Sequence, residues 1–217
     1  SEDARLLAQL VVCCGHGAQL DLLQEASGLP VSRADAAFDE LEDSDLVEFT
    51  DSACSFSLEA ARHAFGTGDE QRSRELHAAL AEVLLKRGDE DDRQTLRAAW
   101  HLSHTQEELQ GARILARVAP KVMRSVELRE EAARGMERAL VLFERHGEPI
   151  ATHLGVKANL VLLGYLFKPD LAARYAADTL TTLYRVTGLE RARKWSRWLG
   201  APAGTLLSTM LAEVTRW

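Results

Sequence analysis

Apolar residues recur at helical spacing along nearly the whole chain, and this spacing is interrupted only between residues 46 and 58. Three helices are predicted before the interruption, over residues 3–14, 20–26 and 32–44. In the third helix Ser32 is the expected N-cap, and Phe38 and Leu41 are expected to face inward. The periodicity therefore predicts a mostly α-helical protein.

Apolar and polar side chains alternate between residues 46 and 58. The alternation predicts two short strands, residues 46–50 and 54–58, joined by a turn at residues 51–52. The residues expected on the inner face of this hairpin are Phe49, Cys54, Phe56 and Leu58. Three helices followed by a hairpin is the order of a winged-helix domain. We therefore assign residues 1–66 to a winged-helix-like domain.

From residue 69 onward the pattern is helical throughout. Residues 67–92 are interpreted as a connecting helix followed by an acidic linker. The acidic stretch, residues 89–92, is alternatively the N-terminal charge of the next helix. The apolar stripe of the connecting helix consists of Leu76, Leu80, Val83 and Leu84. Later helices are predicted over residues 93–103, 107–124, 128–146, 151–167, 170–186, 189–199 and 203–216. Pro120 is expected to kink or split the second of these.

A weak internal repeat relates residues 132–147 to the residues 41 positions further on. The matching pairs are Ala132 with Ala173, Leu142 with Leu183, Phe143 with Tyr184, and Gly147 with Gly188. A period near 40 is typical of helical-hairpin solenoids. Residues 93–217 are therefore interpreted as an array of stacked α-helical hairpins, with a less regular bundle as the alternative.

Charge is distributed unequally along a chain whose net charge is −7. Up to Glu108 there are 9 basic and 23 acidic residues, and after it 17 basic and 10 acidic residues. The predicted third helix carries Arg33 as its only cation against five carboxylates. A helix that docks in the major groove needs cations to displace the counterions of phosphate. DNA binding through this helix is therefore not expected, whereas the basic second half favours an acidic ligand.

The three cysteines are too few, and odd in number, for a secreted disulfide framework. A cytoplasmic location is expected. The longest charge-free run near the middle, residues 158–167, has ten residues, and a membrane-spanning helix needs about 20. No membrane partner is expected. Because the chain starts at Ser1 without a leader, we interpret it as a piece of a longer polypeptide.

Sequence motifs of known catalytic or nucleotide-binding sites are missing from the sequence, including Gly-x-Ser-x-Gly, His-Glu-x-x-His and the phosphate-binding glycine loop. Residues 13–16, Cys-Cys-Gly-His, could in principle bind zinc, but both cysteines continue the apolar stripe of the first helix, so core packing is expected. His101 and His104 have the spacing of two metal ligands on a helix, with Glu107 or Glu108 as a third. Satisfied or exposed histidines are the simpler expectation. No catalytic residue, cofactor or metal is expected.

An aromatic and cationic segment near the C-terminus, residues 191–199, is the best candidate for a partner contact. Trp and Arg are the residue types most often found at binding hot spots. The candidate partner-binding residues are Arg193, Trp195, Arg197 and Trp198. The pattern is consistent with a protein groove, an acidic surface or a membrane interface. In the alternative interpretation both tryptophans pack against the last predicted helix.

Two segments of the first domain resemble STAND-class signalling ATPases. Residues 22–29 (Leu-Leu-Gln-Glu-Ala-Ser-Gly-Leu), then Leu41, then residues 45–47 (Asp-Leu-Val) are similar to the winged-helix segment that follows the ATPase core in this class. The class includes the maltose-regulon activator type and the large bacterial predicted-ATPase regulators. The phosphate-binding loop of an ATPase core is missing from this sequence, so such a core would lie outside it.

The resemblance continues to about residue 147. Residues 74–84 resemble the helix that follows the wing, and residues 98–102 and 131–143 resemble the tetratricopeptide-like (TPR-like) region of the class. The class often carries Phe-x-His before the post-wing helix, whereas residues 56–58 read Phe-Ser-Leu. A nucleotide-linked histidine is therefore not carried over to this chain.

The resemblance implies a bacterial signal-transduction role. We expect a non-catalytic protein-interaction or sensor region of a larger multidomain regulator. Its partner is expected to be a protein, either one with an acidic surface or the rest of its own polypeptide. The alternative is a DNA-binding winged-helix transcriptional regulator.

Overall fold

The described part of the chain is mostly helical and contains a small antiparallel sheet, as the sequence predicts. The computed structural model describes residues 1–15, 17–50, 53–57, 63–66, 68–87 and 91–187. The chain divides into two compact units, Ser1–Gly111 and Ala112–Trp217. The boundaries drawn at residues 66 and 92 from the sequence pattern stay predictions.

The first unit begins with helices and short strands in mixed order. Their bounds are Glu2–Cys14 (α1), Ala18–Gln19 (β1), Leu20–Ser27 (α2), Val31–Asp43 (α3), Val47–Phe49 (β2) and Ala53–Phe56 (β3). The sheet has the order β1-β3-β2, and both pairings are antiparallel. In the predicted hairpin Glu48 lies opposite Ser55 and Phe49 opposite Cys54. Strand β1 was not predicted, because two residues are too few to show an alternation of apolar and polar side chains.

Helix α3 begins one residue earlier than expected. Its first residue is Val31 and its N-cap is Pro30, so the prediction of Ser32 as N-cap was wrong. Pro30 has φ −56° and ψ 146°, an extended conformation that the pyrrolidine ring favours. The proline therefore directs the chain into the helix without a side-chain oxygen to cap it.

The core of the first unit contains one face of each of these helices together with the inner face of the sheet. Leu41 and Cys54 are buried there, as predicted. Phe38, Phe49 and Phe56 are partly buried against the same core, and the Phe38 and Phe49 rings meet edge to face with centroids 6.1 Å apart. Leu58 lies outside the described residues.

Two further helices, α4 (Glu70–Arg87) and α5 (Asp92–Leu102), pack against each other in the first unit. The predicted stripe of α4 is confirmed, since all four of its residues are buried. Helix α4 also packs on α1 and α2. At its C-terminal end Arg87 donates hydrogen bonds to Asp21 and Glu25 of α2, at 2.8 and 2.6 Å.

The remaining described helices are α6 (Glu108–Val122), α7 (Arg129–Arg145), α8 (Ile150–Phe167) and α9 (Pro169–Thr187). Each lies within two residues of its predicted bounds. One face of α7 is buried and includes Ala132, Met136, Ala139, Leu140 and Phe143. The expected split at Pro120 was wrong, because α6 continues to Val122 and the proline lies close to its end. The helices predicted over residues 189–199 and 203–216 lie outside the described residues.

A tight hairpin connects α8 to α9 in the second unit, with only Lys168 between the two helices. A Cβ atom on Gly164 would lie 2.3 Å from the backbone nitrogen of Ala172. Real Cβ contacts are never this short, so the close approach of the two backbones requires glycine at this position.

By length and composition alone, helix α8 is long and apolar enough to cross a membrane. Its 18 residues have a mean hydropathy of 1.4, and 39% of them are buried. The charge-free run, residues 158–167, is shorter than the helix because Lys157 lies within the helix. A core helix of a soluble protein passes the same test. The expectation that the chain has no membrane partner therefore stays a prediction.

Candidate functional site

The solvent-facing side of α3 is strongly acidic. We use the name α3 acidic surface for the exposed carboxylates of this helix, of the turn after it and of β2, namely Asp35, Asp39, Glu40, Glu42, Asp43, Asp45 and Glu48. The opposite side of the helix buries Ala34, Ala37 and Leu41 against the core. Because the helix is amphipathic, it presents its carboxylates to solvent.

Arg33, the single cation of α3, forms an ion pair with Asp3 of α1. Arg33 donates from Nε to Oδ2 of Asp3 at 2.8 Å and from Nη2 to Oδ1 at 2.7 Å. This is the two-pronged geometry that a guanidinium and a carboxylate favour. The hydrogen bonds and the charge of Asp3 raise the pKa of Arg33, so the arginine stays charged and paired. Helix α3 therefore has no unpaired cation of its own to balance the charge of the α3 acidic surface.

A cluster of three histidine rings lies where α4 and α5 meet, and we call His77, His101 and His104 the α4–α5 histidine cluster. His77 on α4 and His101 on α5 are buried, with 8% and 5% of their surface exposed. Their Nδ1 atoms are 2.9 Å apart. At this distance one Nδ1 donates a hydrogen bond and the other accepts it, so the two rings adopt opposite protonation at Nδ1.

His104 completes the cluster from the turn that follows α5. Its ring stacks on that of His77, with centroids 4.6 Å apart and planes 18° apart. Trp100 contacts His104 at a centroid distance of 5.1 Å. The spacing of His101 and His104 predicted that these two rings are neighbours. It gave no sign of His77, which is the hydrogen-bond partner of His101.

The environment of His101 disfavours its charged form. Burial lowers the pKa of His101 well below the ordinary value of 6.5. Nearby His77, His104 and Arg97 lower it further, because a charge on any of them repels a second positive charge. His101 is therefore a neutral ring at neutral pH.

The described part of the chain contains no group of three or more His, Cys, Asp or Glu side chains arranged to hold a metal ion. The Nδ1 atom of His101 already takes part in the hydrogen bond with His77. The pattern of His101 and His104 is thus explained by ring packing and hydrogen bonding between two helices, which is the simpler of the two expectations from the sequence.

The cysteines lie in or against the core of the first unit. Cys54 is buried, and Cys13 and Cys14 are partly buried against the same core, which confirms the packing prediction. Burial raises the pKa of Cys13 and Cys54 to about 11, and burial with its two neighbouring thiols raises that of Cys14 to about 12. Protonated thiols are poor nucleophiles and poor metal ligands. His16 lies outside the described residues.

Polar contacts connect α9 to its neighbours in the second unit. Lys157 on α8 pairs with Asp178 at 2.6 Å and donates a hydrogen bond to the Thr182 hydroxyl at 3.1 Å. Glu137 on α7 accepts hydrogen bonds from Tyr175 at 3.0 Å and Arg174 at 3.2 Å. Each of these side chains has a partner in the fold, so these contacts read as structural.

The residues predicted to bind a partner, Arg193, Trp195, Arg197 and Trp198, lie outside the described residues. Their role stays a prediction from the sequence. Comparison with known proteins adds no relative, since no protein-family model, curated protein or solved structure matches the chain. The functional argument therefore depends on the residues themselves.

Proposed function

We propose that this chain is a non-catalytic protein-interaction or sensor region of a larger multidomain signalling regulator. The observation that carries the proposal is the charge of α3. Three helices followed by an antiparallel hairpin is the order of a winged-helix domain, and the third helix of such a domain is the one that enters the major groove. In this chain that helix exposes carboxylates, and its one arginine is paired with Asp3.

The electrostatics of this surface favour a protein over a nucleic acid as the partner. DNA-binding proteins gain affinity by replacing the counterions of phosphates with lysine and arginine. Carboxylates at the same positions repel the phosphates and leave the counterions in place. A winged-helix domain with this charge is suited to packing within a larger protein or to docking on another one.

The helical second part supports the same proposal. We propose that residues 93–217 form a TPR-like array, of which the tight α8–α9 hairpin is one pair. Stacked hairpins provide an extended surface that recognises peptides or domains without catalytic groups. The aromatic and cationic segment with Arg193, Trp195, Arg197 and Trp198 is the proposed contact with an acidic protein surface or with the rest of the same polypeptide.

The resemblance to STAND-class regulators gives the proposal its setting, a cytoplasmic signalling protein of a bacterium. A second candidate function, a DNA-binding transcriptional regulator, is favoured by one observation, the winged-helix order of the first elements. The sign of the charge on α3 argues against it. A salt-dependent affinity for duplex DNA separates the two candidates.

The test is a capture experiment with the intact chain as bait. After the captured protein is identified and purified, its affinity is measured by calorimetry with the unchanged chain and with an R193A/W195A/R197A variant. The variant should bind about thirtyfold more weakly, since truncation at a hot spot costs about 2 kcal/mol. An R117A/R134A variant, which removes exposed arginines elsewhere, is the matched control.

Three results decide the experiment. Weaker binding by the triple variant, with circular dichroism and binding by the control unchanged, supports the proposed contact. Unchanged affinity of a folded triple variant removes residues 193–197 from the binding site. Specific binding of duplex DNA in place of a protein would favour the transcriptional regulator.

A further inference from the structure

The α4–α5 histidine cluster is the densest group of titratable rings that the structure describes inside a helix contact. His77 and His101 are buried on facing sides of that contact, and His104 stacks on His77. Helix pairs in protein cores are usually held by apolar side chains, which do not respond to pH. Here the contact contains imidazole rings, whose ordinary pKa lies near 6.5.

The hydrogen bond between His77 and His101 depends on the number of protons in the cluster. In the neutral pair one Nδ1 carries a hydrogen and the other accepts it. A proton added to the accepting Nδ1 makes both atoms donors, and the hydrogen bond is lost. A proton added to Nε2 of the donating ring keeps the bond but leaves a cation in a buried site.

The charged surroundings add to this effect. The groups whose charges act on His101 are His77 from α4, Arg97 from α5 and His104 from the following turn. All three are cationic or become cationic when protonated. A protonated cluster would therefore contain like charges beside Arg97.

We propose that the α4–α5 histidine cluster is a pH-sensitive contact, which holds α4 and α5 together at neutral pH and weakens as its rings take up protons in mildly acidic solution. The inference concerns the pairing of two helices and goes beyond the proposed partner binding. It does not depend on which partner the chain binds.

The direction of the pH effect follows from the number of protons bound when the α4–α5 contact is closed and when it is open. In the open state a histidine ring has its ordinary pKa near 6.5, whereas the pKa of buried His101 is well below this value. Between these two values the open state binds more protons, so the contact is fully stable above about pH 7 and loses stability as the pH falls. If one ring stays neutral in the closed state and is protonated in the open state, the equilibrium constant for opening rises about 25-fold as the pH falls from 7 to 5.

The experiment is amide hydrogen exchange of the full chain between pH 5 and pH 7.5, corrected for the intrinsic exchange rate at each pH. Peptides from α4 and α5 should lose protection about 25-fold or more over this range. Peptides from α8 and α9 should lose much less. An equal loss along the whole chain, or no loss in α4 and α5, would overturn the proposal.

Two variants identify the responsible rings. In H77F/H101F both rings are replaced by aromatic groups that do not titrate, and the pH dependence of α4 and α5 should disappear. In H146Q an exposed histidine of the second unit is removed, and the pH dependence should remain. A pH dependence that persists in a folded H77F/H101F variant contradicts the proposal.

A ring titration by NMR on the unchanged chain decides the matter if the double variant does not fold. The His101 ring should stay neutral below pH 6.5, and its protonation should coincide with the loss of protection in α4 and α5. Protonation of His101 at or above pH 6.5, with protection intact, would overturn the proposal.

Discussion

Arg33 and Asp3 join α3 to α1 through two parallel hydrogen bonds, of 2.8 and 2.7 Å, on the surface of the first unit. This pair holds the guanidinium of Arg33 against Asp3 of α1. The carboxylates that surround it on the α3 acidic surface have no such partner on the same helix. The electrostatic character of the third helix is therefore set by acidic side chains.

The first prediction is that the chain does not bind duplex DNA in a salt-dependent manner, even when Arg33 is released. In D3N the arginine loses its ionic partner, yet one cation does not offset the carboxylates of α3. Fluorescence anisotropy of a labelled duplex between 50 and about 200 mM salt measures this. A D35K/D39K/E42K variant is the positive control and should gain affinity that falls with salt. Salt-dependent binding by the unchanged chain would contradict the prediction.

The second prediction concerns the α8–α9 hairpin. G164A should destabilise the protein by about 1–3 kcal/mol, because its methyl group would lie 2.3 Å from the backbone nitrogen of Ala172 and the two helices would have to move apart. Urea unfolding followed by circular dichroism measures the change in the free energy of unfolding.

Gly155 provides the matched control in the same helix. A Cβ atom there meets nothing within 4 Å. G155A should therefore raise stability by about 0.5–1 kcal/mol, since alanine is the better helix former. If the two variants changed stability in the same direction, the close approach at Gly164 would not be the cause.

Local patterns in the sequence were enough to predict the helices and the hairpin. A face such as that of α7 repeats over several turns, so its period is visible without knowing what it packs against. The start of α3 was missed by one residue because Pro30 acts through its ring conformation, whereas the usual signal is a capping side chain. Strand β1 is stabilised by pairing with β3, and no pattern of its own marks it.

The histidine contact could be predicted only in part. His101 and His104 are three residues apart, and this spacing predicts a shared helix face, although His104 lies in the turn just after α5. His77 is 24 residues before His101, and only the pairing of α4 with α5 brings the two Nδ1 atoms together. Contacts between distant residues leave no mark in the local spacing. The sequence therefore indicated two of the three rings but did not predict the hydrogen bond between His77 and His101.

The third prediction is that the cysteines react slowly with alkylating agents in the folded protein. With the pKa of Cys13 and Cys54 raised from 9.0 to about 11, and that of Cys14 to about 12, the thiolate fraction at pH 8 falls about 100-fold or more. Iodoacetamide labelling followed by mass spectrometry measures the rates. They should keep rising from pH 8 to pH 10, and the chain unfolded in urea should react fast at pH 8. Rapid labelling of the folded chain at pH 8 would contradict the raised pKa values.

The fourth prediction concerns the ion pair between Lys157 and Asp178, whose two partners differ in exposure. The Lys157 side chain is 15% exposed, and that of Asp178 is 53% exposed. Removing the charge of Asp178 leaves a mostly buried ammonium group whose remaining hydrogen-bond partner, among the described residues, is the Thr182 hydroxyl. Removing Lys157 leaves a carboxylate that water can still solvate. The cost of breaking the pair should therefore depend on which partner is changed.

We expect D178N to lower the free energy of unfolding by about 2 kcal/mol, since a charged group then lacks its partner in a partly dry site. K157M should lower it by less, because methionine fills the space of the lysine stem without a charge to solvate. E130Q is the control for an exposed pair, since Glu130 and Lys168 are 68% and 60% exposed, and it should change stability by less than about 1 kcal/mol. Urea unfolding of the three variants decides the order. A larger loss in K157M than in D178N would show that burial of the ammonium group does not determine the cost.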